Sequence, residues 1–222
     1  MYRIVALPLL GALALCAEDK PTEKELPLVF KDNFAKGADA WEPTDKAAWK
    51  VIKTKDGSAY SQFQQSKYKP PHRSPFNVSL VKDVQIGDFV LDVQVQSTAR
   101  DYPHRDVCLF FGYQDDAHFY YVHLGKKTDD HCNQIFIVNK ADRKKISTKT
   151  TDGTPWDDKW HHVRIVRKVE DGSVAVYFDD MKTPVMTATD KTFTWGRVGV
   201  GSFDDSGNWS DFKLHAVKVE KK

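Results

Sequence analysis

The sequence predicts an all-β protein made of two packed antiparallel sheets. Three observations support this fold class. Short segments alternate apolar and polar residues along most of the chain, an Asp-Gly pair separates two such segments, and no segment beyond the N-terminus keeps a helical period. Alternation places successive side chains on opposite faces of a strand. About a dozen such strands bury one face each when two sheets pack together.

The apolar residues of the clearest segments share one face of each predicted strand. They are Phe89, Leu91, Val93 and Val95 in DFVLDVQVQS, Val163, Ile165 and Val169 in HHVRIVRKV, and Phe212, Leu214 and Ala216 in DFKLHAVKV. Arg167 interrupts the second face, and Asp171-Gly172 after it predicts a tight hairpin because both residues tolerate a positive φ. The predicted core comprises Trp41, Trp49, Leu91, Phe111, Val122, Ile137, Ile165, Val176 and Leu214.

Residues 1–17 have the composition of a secretory signal peptide. One Arg precedes an apolar run, and small residues follow it. The run is shorter than the roughly 20 apolar residues of a membrane-spanning helix. We therefore expect export to the periplasm or the extracellular space, no transmembrane segment, a mobile leader over 18–25 and a single domain over 26–222. The alternatives are a buried N-terminal helix and a lipid anchor at Cys16, which Leu15 disfavours.

The charge balance disfavours nucleic acid as a partner. The chain carries 33 basic and 31 acidic residues, and Arg3 is the one charged residue of the predicted signal peptide. The remaining chain is therefore close to neutral. Binding to nucleic acid relies on a strongly basic surface.

Residues 107–137 predict a meander of three strands. If QDDA forms a four-residue loop, Cys108 pairs with His123 and Leu109 pairs with Val122, and facing residues share a side of the sheet. One side then belongs to the core, with Leu109, Phe111, Tyr113, Tyr120, Val122, Leu124, Ile135 and Ile137. The other side carries Cys108, Phe110, Phe119, Tyr121, His123, Cys132, Gln134 and Phe136.

The second side of this meander predicts a carbohydrate site. Sugar rings stack their C–H faces on aromatic rings, and their hydroxyls need donors and acceptors. We expect an oligo- or polysaccharide to contact five residues of this side, namely Phe110, Phe119, Tyr121, Gln134 and Phe136. Two loops are candidate rims, with His104, Arg105 and Asp106 in DYPHRDV and Lys126, Asp130 and His131 in GKKTDDH. An ordinary solvated turn is the alternative interpretation of the first loop.

Two cysteines, Cys108 and Cys132, remain after removal of the signal peptide. An exported chain favours a disulfide. In the meander register, however, they flank His123 from opposite strands, about 9 to 10 Å apart by two strand spacings. A disulfide needs less than about 7 Å. We therefore expect two buried free thiols, and the linear Cys-His-Cys row lacks the fourth ligand of a zinc site.

The sequence lacks the known catalytic motifs that would support a hydrolase mechanism. The sequence contains neither G-x-S-x-G nor H-E-x-x-H, and no strand carries two acids at a glycosidase spacing. The segment WDDKWHH is rich in candidate ligands. Its Trp160 is interpreted as a core anchor, and His161 and His162 fall on opposite faces of the next strand.

Four stretches carry a family likeness: VFKDNFAKGADAWEPTDKAAWKV, FFGYQDDAHFYYVHLG, WHHVRIVRKVEDGSVAVYFDD and GRVGVGSFDDSGNWSDFKLHAV. They resemble the concanavalin A-like lectin/glucanase superfamily. More narrowly, they resemble bacterial laminin-G-like domains of the 3-keto-disaccharide hydrolase type, now described as 3-keto-glucoside lyases and hydratases. The resemblance covers residues 28–219. It implies a two-sheet jelly roll whose concave sheet binds carbohydrate, with a 3-keto sugar glycoside as substrate class.

An enzyme of this type would be a glycoside hydrolase or lyase acting on 3-keto disaccharides. His123 or His131 would then serve as general base, and Arg105 would stabilise the oxyanion. The alternative is a structural or adhesive module that binds a protein partner through the same face without turnover.

The resemblance also implies a possible structural Ca²⁺, although no cofactor is required. Jelly-roll relatives often hold this cation where the first and last strands meet. Asp32 and Asp211 are the candidate ligands, ahead of the turn pair Asp204 and Asp205 in SFDDSGN. A solvated turn without any metal is the alternative interpretation.

Overall fold

A computed structural model describes residues 26–220. The predicted signal peptide and leader lie outside these residues. Within them, no helix is long and apolar enough to cross a membrane. One turn of 3-10 helix spans Lys46–Ala48. The strands are β1 (Leu28–Asp32), β2 (Trp41–Pro43), β3 (Trp49–Thr54), β4 (Gly57–Gln62), β5 (Asn77–Val81), β6 (Ile86–Ser97), β7 (Asp106–Asp115), β8 (His118–Gly125), β9 (Gln134–Asn139), β10 (Lys144–Lys145), β11 (Ser147–Thr150), β12 (His161–Arg167), β13 (Ser173–Phe178), β14 (Met186–Thr189), β15 (Arg197–Ser202) and β16 (Gly207–Lys218).

The strands form two antiparallel sheets packed face to face. The larger sheet has the order β11-β14-β13-β12-β6-β16-β4-β3, and β1 also pairs with β16, where Leu28 lies opposite His215. The smaller sheet has the order β10-β9-β8-β7-β15-β5-β2. The predicted fold class, an all-β antiparallel sandwich of the jelly-roll type, is confirmed.

The main core lies between the two sheets and contains all the predicted core residues, each at most 8% exposed. Leu91 on β6 lies between Ile165 on β12 and Leu214 on β16, so three alternating strands place one row of aliphatic side chains in the core. Burying a side chain of this size stabilises the fold by about 1.5–3 kcal/mol.

The predicted hairpin joins β12 to β13. Gly172 has a φ of +79°, in the left-handed region that glycine adopts without strain. Arg167, which interrupts the apolar face, is buried at the strand end. Its guanidinium donates to the carbonyl oxygens of Gly172 at 2.6 Å and Phe193 at 3.2 Å. These two hydrogen bonds compensate part of the cost of burying the Arg167 charge.

The meander confirms the predicted register at Cys108–His123 and Leu109–Val122, but the register changes before the loop. Asp115 lies opposite His118, so β7 has two more residues than β8 between this pair and Phe111–Tyr120, and they form a bulge around Gly112, whose φ is +57°. The bulge turns Tyr113 to the outer side of the sheet, where it stacks on Phe119 at 4.9 Å. The assignment of Tyr113 to the main core was therefore wrong.

The segment before β12 also differs from the prediction. Trp160 is only half-buried, and Trp156 takes the place of the core anchor, donating from Nε1 to the carbonyl of Leu124 at 2.7 Å. His161 and His162 lie on opposite faces of β12, as predicted.

Cys108 and Cys132 are both buried and free, which confirms the predicted thiols. Burial raises the pKa of both thiols, that of Cys132 to about 12. Because the thiolate is the reactive form, we expect neither Cys108 nor Cys132 to react with Ellman's reagent while the sandwich is folded. Both should react at once in denaturant. A fast-reacting thiol without denaturant, or a mass two hydrogens lighter than the dithiol, would contradict this expectation.

Candidate functional site

The candidate site lies at one end of the smaller sheet. Here β7 begins at Asp106, β8 carries His123 near its end, and the turn after β15 carries Asp204 and Asp205. We call these four residues the acidic pocket. One carboxylate oxygen from each of the three aspartates lies within 4.8 Å of the others. Three carboxylates at such separations are costly together unless protons or cations accompany them.

Asp106 forms the buried floor of the acidic pocket and is 1% exposed. Its Oδ2 accepts hydrogen bonds from the backbone N–H of Phe203 at 2.9 Å and from Sγ of Cys108 at 3.3 Å. Its Oδ1 is buried and has no hydrogen-bond partner. A buried acceptor without a partner is uncommon, because it loses its hydration without replacement.

His123 is the second buried group, 4% exposed. Its Nδ1 lies 3.0 Å from the carbonyl oxygen of His131. Since a carbonyl oxygen only accepts, Nδ1 carries a proton and donates it. Nε2 lies 3.2 Å from Oδ2 of Asp106 but makes no hydrogen bond.

Asp204 and Asp205 complete the acidic pocket from the turn after β15. The carboxylate of Asp205 accepts from the backbone N–H of Asp106 at 2.8 Å and from the hydroxyl of Tyr102 at 2.9 Å. Burial raises the pKa of Asp205 to about 6, and the charge of Asp106 adds to this shift. Asp204 reaches the surface, and the same two causes, partial burial and Asp106, raise the pKa of its carboxyl.

Three predicted site residues gather around Asp129 at the rim. Oδ2 of Asp129 lies 2.7 Å from Nε2 of the exposed His104, and Oδ1 accepts from the backbone N–H of His131 at 2.6 Å. The backbone carbonyl of Asp129 accepts from Nε2 of Gln134 at 2.9 Å. This arrangement holds both predicted rim loops together beside the acidic pocket.

Arg105 does not join the acidic pocket, although it was predicted to stabilise an oxyanion. It is 3% exposed, and its guanidinium donates to the carbonyls of Ser97 at 2.8 Å and Asp157 at 2.9 Å and to the carboxylate of Asp158 at 2.9 Å. These bonds attach the loop before β12 to the end of β6. Arg105 therefore has a structural role, since its guanidinium holds two parts of the chain together.

Two further predicted rim residues make exposed ion pairs rather than pocket contacts. Lys126 pairs with Asp101, and Asp130 pairs with Lys145 at 2.6 Å. Neither pair belongs to the acidic pocket.

The predicted aromatic platform is not open to solvent. Phe110, Phe119, Tyr121 and Phe136 are each at most 2% exposed and form a second apolar cluster on the outer side of the smaller sheet. The expectation that this side presents accessible rings to a sugar was therefore wrong, because the rings are buried. Whether these residues contribute to sugar binding is not tested and stays a prediction.

Arg143 lies over this aromatic cluster, and the segment 63–76 is attached beside it. The guanidinium of Arg143 donates to the hydroxyl of Tyr121 at 2.9 Å and lies over the rings of Phe136 at 4.8 Å and Phe203 at 4.2 Å. The backbone N–H of Arg143 donates to the carbonyl of Arg73 at 3.1 Å, which ties the segment to this position. We call the segment 63–76 the cover.

The predicted calcium ligands Asp32 and Asp211 lie elsewhere. Both carboxylate oxygens of Asp32 accept hydrogen bonds, from the backbone N–H of Phe34 at 2.7 Å and from Nε1 of Trp41 at 2.9 Å. Within residues 26–220, the groups that bring three acidic, His or Cys ligands together contain neither Asp32 nor Asp211. Asp204 and Asp205, the less favoured candidates from the sequence, are the ones that lie beside another carboxylate, that of Asp106.

Sequence reasoning did not assign Tyr102, Asp129, Phe203 or Arg143 to the site. The sequence does mark the turn that carries Asp204 and Asp205, because these two adjacent aspartates follow a Gly-rich strand in GVGSFDDSGN. The turn alone does not predict the site, because Asp106 lies about 100 residues earlier and contacts the turn only in the folded sheet.

Solved structures show which fold this is. The carbohydrate binding module CBM66 from Bacillus subtilis is 16% identical, with a TM-score of 0.56 over 80% of this chain and 96% of that chain. Domain 4 of AbnA, an extracellular GH43 arabinanase from Geobacillus stearothermophilus solved in complex with arabinotriose, is 11% identical, with a TM-score of 0.56 over 88% and 95%. Winged bean acidic lectin complexed with methyl-α-D-galactose is 12% identical, with a TM-score of 0.56 over 86% and 98%.

These similarities place the chain among lectin-like jelly rolls, in agreement with the concanavalin A-like fold that the sequence resembles. At identities of 11 to 16% they establish the fold alone. No protein-family model matches the sequence, and no curated protein matches it.

Proposed function

We propose that this protein binds carbohydrate at the acidic pocket and its rim. The observation that carries the proposal is the convergence of three loops at one end of the smaller sheet: residues 101–105, 126–133 and 203–206. They present the exposed imidazole of His104 beside the partly exposed ring of Tyr102. The candidate surface is therefore the end of the sheet, next to the covered face that the sequence predicted.

The chemistry of these loops suits sugar hydroxyls. A carboxylate such as Asp204 accepts from two adjacent hydroxyls, and an imidazole such as His131 donates or accepts. Partly exposed rings such as Tyr102 and Phe203 offer apolar surface to the C–H groups of a sugar. A small number of precisely placed polar groups beside an aromatic surface is typical of small-molecule sites.

The fold neighbours support carbohydrate as the ligand class. Their descriptions name a carbohydrate binding module, an arabinanase domain with bound arabinotriose and a lectin with bound methyl-α-D-galactose. An oligo- or polysaccharide is accordingly the ligand we propose for this chain.

We expect isothermal titration against plant, algal and bacterial glycans to find a ligand. Asp204→Ala should weaken its binding at least about tenfold, or about 1.4 kcal/mol, because the variant removes an exposed carboxylate of the acidic pocket. Asp39→Ala, an exposed carboxylate elsewhere, is the matched control. A wild-type protein that binds nothing on the panel, or a glycan that binds Asp204→Ala with full affinity, would contradict the proposal.

A second candidate function is turnover of a 3-keto sugar glycoside by a hydrolase or lyase reaction. The observation that favours it is the exposed side chain of His131, whose backbone N–H is bound by Asp129 of the Asp129–His104 pair at the rim. His131 would act as general base, a role worth about 10²- to 10⁴-fold in rate. His123 lies deeper and suits this role less well.

Mass spectrometry after incubation with 3-keto disaccharides separates the candidates. An enzyme changes the sugar, and His131→Ala should slow it strongly. A lectin leaves the sugar unchanged. An adhesive module, the alternative from a different class, binds a protein partner through the same surface and leaves the glycan panel blank.

We also propose that the chain is exported after removal of its signal peptide, with cleavage after Cys16 or Ala17. Edman sequencing of the secreted protein is expected to begin at residue 17 or 18. Retention of residues 1–17, or a lipid-modified Cys16, would contradict this proposal.

A further inference from the structure

We propose that a groove at the far end of β6 from the acidic pocket binds a neutral oligosaccharide, with the indole ring of Trp195 as the surface on which a sugar stacks. This inference goes beyond the proposed function, because the groove shares no residue with the acidic pocket or its rim. Its lining includes Gln85, Asp88, Val169, Trp195, Val217 and Glu220, and we call it the Trp195 groove.

The Trp195 groove is a separate place on the molecule. It lies where β6 begins, since Gly87 belongs to its lining. The acidic pocket lies at the other end of β6, where Ser97 pairs with Gly207. At about 3.3 Å per residue, Gly87 and Ser97 are roughly 33 Å apart along this strand. A sugar ring in the groove therefore cannot touch the acidic pocket.

Trp195 is the most exposed tryptophan of the chain. All six tryptophans lie within residues 26–220. Four of them are at most 7% exposed and Trp160 is half-buried, whereas Trp195 is 39% exposed. Its backbone is fixed on both sides, because Nε2 of Gln114 donates to the Trp195 carbonyl at 3.1 Å and Gly196 exchanges backbone hydrogen bonds with Ile86 at 3.0 and 3.1 Å. The fold therefore holds this residue at the surface on an ordered piece of backbone.

The walls beside the ring combine apolar surface with a few polar groups. Val169 and Val217 supply apolar surface, and Val217 is 46% exposed. Oδ1 of Asp88 accepts from the backbone N–H of Val169 at 2.6 Å, which fixes this carboxylate at the groove, and the amide of Gln85 can donate and accept. The groove has a volume of about 640 Å³, within the range of small-molecule sites. Such walls suit a sugar, whose C–H faces stack on aromatic rings and whose hydroxyls need donors and acceptors.

Area and charge separate a neutral sugar from other occupants. An aromatic side chain offers about 150–250 Å², so the exposed part of Trp195 is on the order of 60–100 Å². A standard protein interface buries about 800 Å² of each partner, more than half of it apolar. The carboxylates of Asp88 and Glu220 in the lining disfavour an anionic lipid surface or an anionic sugar. An uncharged oligosaccharide fits both the small aromatic area and the acidic lining.

Nuclear magnetic resonance tests this proposal through the indole N–H signals of the folded protein. Each tryptophan gives one such signal, and the signal of Trp195 is the one missing from the spectrum of Trp195→Ala. Titration with neutral hexasaccharides of glucose, xylose, mannose and arabinose is expected to shift the Trp195 signal more than the other indole signals for at least one sugar. A Trp195 signal that stays in place at millimolar concentrations of every hexasaccharide would overturn the proposal.

Variants separate the Trp195 groove from the acidic pocket. Asp204→Ala, which impairs the acidic pocket, should leave the shift of the Trp195 signal intact. In that background, Trp195→Ala should weaken binding of the same hexasaccharide at least about tenfold in isothermal titration. Phe63→Ala in the same background is the matched control, because Phe63 is an aromatic residue that is 41% exposed and lies outside the groove. Equal affinities of the two double variants would overturn the proposal.

The outcomes for the two surfaces are distinguishable. A sugar that shifts the Trp195 signal and loses affinity in Trp195→Ala, but not in Asp204→Ala, would support this inference and contradict the proposed function of the acidic pocket. A sugar that loses affinity only in Asp204→Ala, with the Trp195 signal unmoved, would do the reverse. A Trp195 signal that shifts with protein concentration in the absence of sugar would assign the groove to a second copy of the chain and overturn the proposal. Because Trp195 is exposed, Trp195→Ala should melt close to the wild-type temperature, so a loss of binding is not a loss of fold.

Discussion

Replacing Arg143 with methionine is expected to lower the free energy of unfolding by about 3 kcal/mol. Arg143 makes a charged hydrogen bond to Tyr121 and lies over the rings of Phe136 and Phe203. A hydrogen bond to a charged group contributes about 1.5–3 kcal/mol, and each cation–π contact about 0.5–2 kcal/mol. Methionine keeps much of the apolar contact but none of the charge.

Urea denaturation measures this loss, and dye binding reports whether the aromatic cluster becomes accessible. Lys144→Met is the matched control, because Lys144 is the exposed neighbour of Arg143. We expect the control to change stability by less than about 0.5 kcal/mol. A similar small change in Arg143→Met would show that the cover holds without the guanidinium.

Replacing Gly201 with alanine is expected to destabilise the fold by about 3 kcal/mol or more. A Cβ on Gly201 would lie 1.8 Å from the carbonyl oxygen of Asn77 and 3.0 Å from the ring of Phe110. The first contact is with backbone, so a change of rotamer cannot relieve it. Strands β15 and β5, which pair through Gly201 and Val78, must separate.

Gly87→Ala is the control for this substitution, since the nearest atom to its added Cβ is the carbonyl oxygen of Thr194, 3.5 Å away. Thermal unfolding of the two variants should differ widely, with the control near the wild-type melting temperature. Equal melting temperatures for the two variants would contradict the close approach of β15 to β5.

The core could be predicted because it depends on local periodicity. Leu91, Ile165 and Leu214 each sit in a strand that alternates apolar and polar residues, and alternation alone assigns each to the buried side. The hairpin at Gly172 depends on two adjacent residues and could be predicted for the same reason. Tyr113 could not, because the bulge around Gly112 turns its side chain to the opposite side of the sheet.

The site depends on contacts between distant parts of the chain, so sequence reasoning located it only in part. His123 and Gln134 were found because they stand out within one meander. The meeting of Asp106 with Asp204 depends on the pairing of β7 with β15, and no local pattern encodes that pairing. The sequence of the cover, QQSKYKPPHRSP, predicts a polar, proline-containing loop, and nothing in it indicates that Arg73 meets Arg143 beside the aromatic cluster.

The pairing of β1 with β16 determines how the domain could be presented to a ligand. The chain enters the domain where Leu28 lies opposite His215, whereas the acidic pocket lies beside Gly207 at the other end of the same strand. At about 3.3 Å per residue, these two points are roughly 26 Å apart. The last described residues leave near the entry point, because β16 runs away from the pocket. A surface, tag or neighbouring domain attached at either terminus therefore meets the domain at one pole, and the pocket faces outward from the opposite pole.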